Sequence, residues 1–115
     1  MAKKEKKPTK ANVLSRMDKP INSLIIFSIF LVSERQEKCT FERLLAECFH
    51  WWPNVFSFAA YPEWPDARKL DRPLRFLRDE KIISGGPKSF FVLTKEGQKI
   101  GAEIAKTFRQ GKLKI

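Results

Sequence analysis

The chain has 115 residues, 43% hydrophobic and 31% charged, with three Trp and ten Phe, a composition that excludes disorder and argues for one domain around one core. Its formal net charge of +10 calls for a polyanion or an anionic membrane surface without choosing between them. Two cysteines are too few for a disulfide framework, and one histidine with no close cysteine pair excludes a zinc site, so a reducing setting is expected, with no metal and no cofactor.

The opening residues, MAKKEKKPTK onward to residue 19, hold seven Lys and Arg against two acids and show no apolar periodicity. They read as a solvated tail (1–19) ahead of a single domain (20–115). The tail either solubilises the protein or holds phosphates without reading sequence. From Pro20 to Glu34 the pattern predicts a helix, with the proline in its harmless first turn and apolar residues on nearly every side. A helix of that kind has to be covered all round, either centrally within its own domain, which is the expectation, or by a second copy. Its apolar run, Leu24 to Val32, is too short to span a bilayer, and no signal-peptide layout precedes it. A soluble cytoplasmic protein with no membrane partner is expected.

The second helix is the clearest in the chain. Thr40 stands as N-cap, and Phe41, Leu44, Leu45, Cys48, Phe49 and Trp52 follow at i, i+3, i+4, i+7, i+8 spacing until Pro53 ends the run. Glu42, Glu47 and His50 read as its surface residues. Next comes NVFSFAAYPEWP, residues 54–65, in which Pro62 and Pro65 rule out a regular helix. Phe56, Phe58, Tyr61 and Trp64 could stack on bases, but these twelve residues contain no Lys or Arg, so core packing is the expectation.

Asp66 is the expected cap of a third helix whose Leu70, Leu74 and Leu77 form an inward stripe. Arg68, Arg72 and Arg75 repeat at i, i+4 and i+7, with Lys69 beside them, and predict one unbroken cationic edge. Pro73 interrupts this helix. Either the helix kinks near Lys69, as the leucine register favours, or Asp71 is the true cap and Pro73 lies in the first turn. IISGGPKSFFVLT then predicts two short strands around a Gly85–Gly86–Pro87 turn, with Lys88 near its tip and Phe91 and Leu93 pointing one way. Thr94 caps a last helix with an apolar stripe of Ile100, Ile104 and Phe108. Beside it Gly97, Gly101 and Ala105 predict the close approach of another helix.

This order, with LRFLRDEKII running from an arginine-edged helix into a strand and FFVLTKEG running from a strand into a helix, resembles a winged helix-turn-helix domain over residues 20–108. The similarity is closest to the bacterial and archaeal regulators grouped with the MarR and PadR families. The long aromatic connector and Pro73 depart from that pattern. The resemblance implies a mainly α fold with a small β-hairpin wing, sequence-specific binding of double-stranded DNA, a role in transcription regulation, and a homodimer. The apolar first helix and small-residue last helix would be its candidate interface elements. It also implies DNA contacts by Arg68, Lys69, Asp71, Arg72 and Arg75 on the recognition helix, Asp71 accepting from a cytosine or orienting an arginine, and by Lys88 on the wing. Arg78, next to Asp79, reads as structural. The alternative is a winged-helix module that binds a protein partner, or a sequence-independent accessory subunit of a larger nucleic-acid machine. No nucleophile, base or phosphate-loop constellation accompanies His50 or SGGPKS, so no enzyme is expected.

Overall fold

The computed structural model describes residues 20–109; the expected tail and the end of the expected domain lie outside the described residues. Helices α1 (Pro20–Glu34) and α2 (Phe41–Trp51) precede a 3-10 turn (Ala67–Leu70), then come helix α3 (Asp71–Asp79), strands β1 (Ile83–Ser84) and β2 (Val92–Leu93), and helix α4 (Lys95–Arg109). The fold is mainly helical, with one two-stranded antiparallel sheet in which Ile83 pairs with Leu93 and Ser84 with Val92. No helix of the described residues is long and apolar enough to cross a membrane.

Helix α1 takes the central position expected of it. Leu24, Ile25 and Ile26 are consecutive and all fully buried, and three residues about 100° apart span most of a helix circumference. Helices α2, α3 and α4 and strand β2 all pack on it. Phe27 stacks on Phe108 of α4 at 4.6 Å, and both rings adjoin Trp52 just past α2. Cys48 donates to the Ser28 hydroxyl at 3.4 Å. Burial pushes the Cys39 and Cys48 thiols up to about 12, which leaves both protonated and unreactive.

Thr40 caps α2 as predicted, its hydroxyl accepting from the Arg43 amide at 3.1 Å. Cys39, just before it, pairs with Phe91 in an isolated antiparallel bridge, the Phe91 amide donating to the Cys39 carbonyl at 2.8 Å. The approach to α2 thus braces the hairpin, a pairing no sequence pattern announces. Glu47 corrects the sequence reading. It is not a surface charge but is 3% exposed, accepting from Arg35 and Arg43 at 2.9 Å and from the Trp51 indole at 2.8 Å. Arg43 also bridges to Glu37 at 2.9 Å. Burial pushes the Glu47 carboxyl up, yet the hydrogen bonds from Arg35, Trp51 and Arg43 outweigh it and hold the group below the usual carboxylate value.

Glu47→Ala is expected to destabilise the domain by about 2 kcal/mol at neutral pH, less than for a wholly buried pair because both arginines can turn back to water. A group with a lowered folded pKa stabilises fully above its unfolded value, about 4.3 for Glu, and stops doing so as pH falls through the folded value. Urea unfolding of both proteins at pH 7 and in acid checks this: the gap between them should shrink in acid, and a pH-independent gap would contradict it.

The end of α3 turns sharply because Lys81 adopts φ 62, which lets the Ile82 amide reach back to the Leu77 carbonyl at 2.9 Å in a left-handed C-terminal cap. Ile82 and Ile83 are thereby aimed into the core. Phe91 and Leu93 are both buried, as the alternation predicts. Thr94 caps α4, accepting from the Gly97 amide at 3.1 Å, and its amide donates to the Ile82 carbonyl at 3.0 Å. The glycine stripe packs within this chain. A methyl group on Gly101 would come within 2.9 Å of the Phe30 ring of α1, the helix approach the stripe predicts. One on Gly97 would collide with the Ile82 backbone carbonyl, so this contact is with the strand approach rather than a helix.

Candidate nucleic-acid interface

The connector between α2 and α3 is a closed loop. Phe58 donates its amide to the Trp64 carbonyl at 3.1 Å, Asp66 donates to the Phe56 carbonyl at 2.8 Å, and Ser57 bridges to Pro65. Phe56 plugs the loop into the core with no exposure. The expectation that all four aromatics are core residues is corrected here. Tyr61 and Trp64 remain 54% and 56% exposed, because the backbone closure turns the loop tip outward and the two rings stack on each other, centroids 5.3 Å apart and 20° from parallel.

Asp66 caps the turn that follows, as predicted, but the turn is a 3-10 turn and the α-helix starts at Asp71. Pro73 lies in the first turn of α3, where it breaks no helical hydrogen bond. The kinked continuous helix is therefore corrected to two segments. A 3-10 turn advances 120° per residue against 100° in an α-helix, so the three steps from Arg68 to Asp71 rotate Arg68 by roughly 60° relative to a continuous α-helix. The unbroken Arg68–Arg72–Arg75 edge is lost through this shift and through the pairing of Arg68 with Asp66.

Arg68 turns back on the loop, its side chain donating to the Asp66 carboxylate at 3.2 and 3.4 Å and its guanidinium lying 5.5 Å over the Phe58 ring. Hydrogen bonds from Arg68 hold the Asp66 carboxyl below its usual range. Lys69 donates to the Val55 carbonyl at 3.2 Å. These two predicted site residues tie the connector to α3.

The remaining predicted residues are exposed. In α3, Leu74 and Leu77 are buried and continue the Leu70 stripe. Around the exposed side, Arg75 has Asp71 and Arg78 on its flank toward Leu74 and Arg72 and Asp79 on its far flank, opposite the leucines, as the 100° step requires. Asp71 occupies the first turn, where a carboxylate complements the helix dipole. Lys88 is exposed in the hairpin turn, a turn shaped by Gly85 at φ 95 and by the Ser89 amide donating to the Gly86 carbonyl at 3.1 Å.

Arg78, read from the sequence as structural, is exposed on α3. It forms no ion pair with any described residue, and neither do Arg72 and Arg75. It borders two clefts: one of about 130 Å³ shared with Asp71, Arg75 and Pro87, and one of about 340 Å³ shared with Lys81, Ser84 and Gly85. Its i, i+3 spacing to Arg75 was the available signal, masked by its proximity to Asp79. On the outer side of the hairpin Phe90 and Val92 are exposed, with the Lys38 ammonium 5.6 Å over the Phe90 ring.

The surface so built is a helix face with three guanidinium groups that have no ion-pair partner among the described residues, flanked by a lysine-tipped hairpin and an aromatic loop. It suits a flat, anionic, hydrogen-bonding partner. His50 is exposed and meets the Trp51 ring edge-on at 5.0 Å; among the described residues no three His, Cys, Asp or Glu side chains come together as a metal site. No protein-family model, curated protein or solved structure matches the chain.

Proposed function

We propose that the chain is a winged helix-turn-helix domain that binds double-stranded DNA sequence-specifically and regulates transcription. In this reading α2 and α3 form the helix-turn-helix, α3 enters the major groove, about 12 Å wide and able to admit a helix, and the β1–β2 hairpin is the wing. The observation that carries it is the partition of α3. Its leucine side is buried, and its other side presents Arg72, Arg75 and Arg78 without described partners, whereas Arg35, Arg43 and Arg68 elsewhere are paired. Unpaired guanidinium forks on one helix face can engage guanine edges and phosphates. Arg75 then reads bases from mid-face, Arg72 and Arg78 flank it, Asp71 orients or accepts at the leading end, and Lys88 holds a phosphate. Lys69 and Arg68 act mainly by setting the angle of α3.

Such regulators read paired half-sites as homodimers. In this chain the dimer surface lies outside the Gly97 and Gly101 contacts, which are occupied internally. The alternative, a protein-interaction module, draws its support from Phe90 and Val92, exposed on the hairpin. It predicts sequence-blind DNA binding.

Fluorescence anisotropy with labelled duplex DNA over about 50 to 200 mM salt tests the proposal, because each phosphate contact adds about 0.9 to the slope of log affinity against log salt. The expected result is a linear fall, with Lys88→Ala lowering the slope by about one while leaving sequence preference intact. Duplex affinity indifferent to salt would contradict it.

A further inference from the structure

The closed loop ahead of α3 does something a simple connector would not: it holds two large aromatic rings in water. The hydrogen bonds of Phe58 with Trp64 and of Asp66 with Phe56 fix the loop's shape, so the exposure of Tyr61 and Trp64 is built into the backbone. Each ring has one face against the other and over half its surface open. Such a stacked pair can extend its stack to a further flat ring, and any nucleobase offers one.

Charge favours a nucleic acid over an apolar partner. The protein carries +10 overall. Of the two carboxylates in the loop, Asp66 is neutralised by Arg68 and only Glu63 remains. The Arg68 guanidinium lies against the loop over Phe58 and leads directly into the helix that carries Arg72 and Arg75. A base inside a duplex hides both faces in the stack, so the rings suit one that is unpaired.

We infer that Tyr61 and Trp64 form a stacking platform for an unpaired nucleobase at the end or opened edge of the duplex that α3 binds. The preferred ligand is then DNA with a duplex next to a single-stranded segment. The duplex part rests on the proposed function; the stacking part stands apart from it.

Three labelled probes separate the two: a blunt duplex, the same duplex with a single-stranded thymidine extension, and oligothymidine alone. The extension is expected to tighten binding about tenfold, in line with the usual strength of base–aromatic stacking. The Tyr61→Ala/Trp64→Ala double variant should lose that gain and keep its blunt-duplex affinity, while Tyr61→Phe/Trp64→Phe retains the gain. The inference is overturned if the extension adds nothing, if the alanine variant keeps the gain, or if that variant binds every probe more weakly by one common factor. If the blunt duplex is not bound at all, the proposed function fails, and oligothymidine decides the stacking alone: binding by the wild type that the alanine variant loses upholds it, and equal binding overturns it. Loss of a protein ligand by the alanine variant with all DNA affinities unchanged would also overturn it, and would assign the loop to protein recognition.

Discussion

Arg75→Ala combined with Arg72→Ala is expected, under the proposed function, to abolish the preference for one duplex sequence and to leave the unfolding transition where it was. Each bidentate arginine–guanine pair is worth about 1–3 kcal/mol of discrimination, so two such losses reduce specificity by roughly 30-fold to more than 1,000-fold. The fold tolerates the change because both side chains are exposed and partnerless among the described residues, and alanine is at least as good a helix former as arginine. Arg68→Ala provides the contrast. It removes the only ion-pair partner, among the described residues, of the buried Asp66 carboxylate and the cation over Phe58, so its effect is expected on the loop, with the sequence preference retained. Competition binding with matched and scrambled duplexes, beside thermal unfolding of each variant, checks both. Equal loss on all sequences would place Arg72 and Arg75 on phosphates instead of bases.

Gly97→Ala should be strongly destabilising. Alanine within a helix is ordinarily favoured over glycine by about 1 kcal/mol. Here the added carbon meets the Ile82 carbonyl oxygen, a backbone atom already accepting from the Thr94 amide at 3.0 Å and unable to move without unseating both the hairpin and the cap of α4. Overpacking of a well-packed site costs about 1–3 kcal/mol, and a rigid backbone neighbour puts this case at or above the upper end. At about 4–8 °C per kcal/mol for a domain of this size, a fall in Tm of roughly 10–20 °C is expected. Gly101→Ala meets the Phe30 ring instead, a half-buried side chain that can turn, so its clash and its helical gain nearly cancel and its Tm stays within about 5 °C of wild type. Scanning calorimetry of the two variants checks the pair, and similar Tm values would show that the Gly97 contact relaxes.

The elements set by periodicity and capping were legible from the residues alone. Thr40, Asp66 and Thr94 each cap a helical segment, and the Leu70, Leu74, Leu77 stripe is buried across the whole third helical region. The helical layout with a small antiparallel sheet followed from these. What stayed hidden depends on partners distant in sequence. Glu47 reads as a surface charge on its helical wheel, and its burial involves Arg35, twelve residues earlier, which turns back to pair with it beside Arg43 and Trp51. Tyr61 and Trp64 read as core because residues 54–65 hold no Lys or Arg to accompany a stacking site; the loop closure that exposes them joins backbone groups about six to ten residues apart through no recognisable motif. The phase of the arginines failed for a local reason. A wheel drawn at 100° per residue cannot anticipate four residues of 3-10 geometry, nor the ion pair that draws Arg68 back to Asp66.

The most direct test of the central claim is selection of bound sequences from a random duplex pool at near-physiological salt. The account predicts enrichment of a short motif containing guanines, palindromic with half-sites about one helical turn apart, and loss of that motif with the Arg72→Ala/Arg75→Ala protein. Retention of duplexes with no enriched motif would contradict sequence reading by α3, leaving its arginines as phosphate holders.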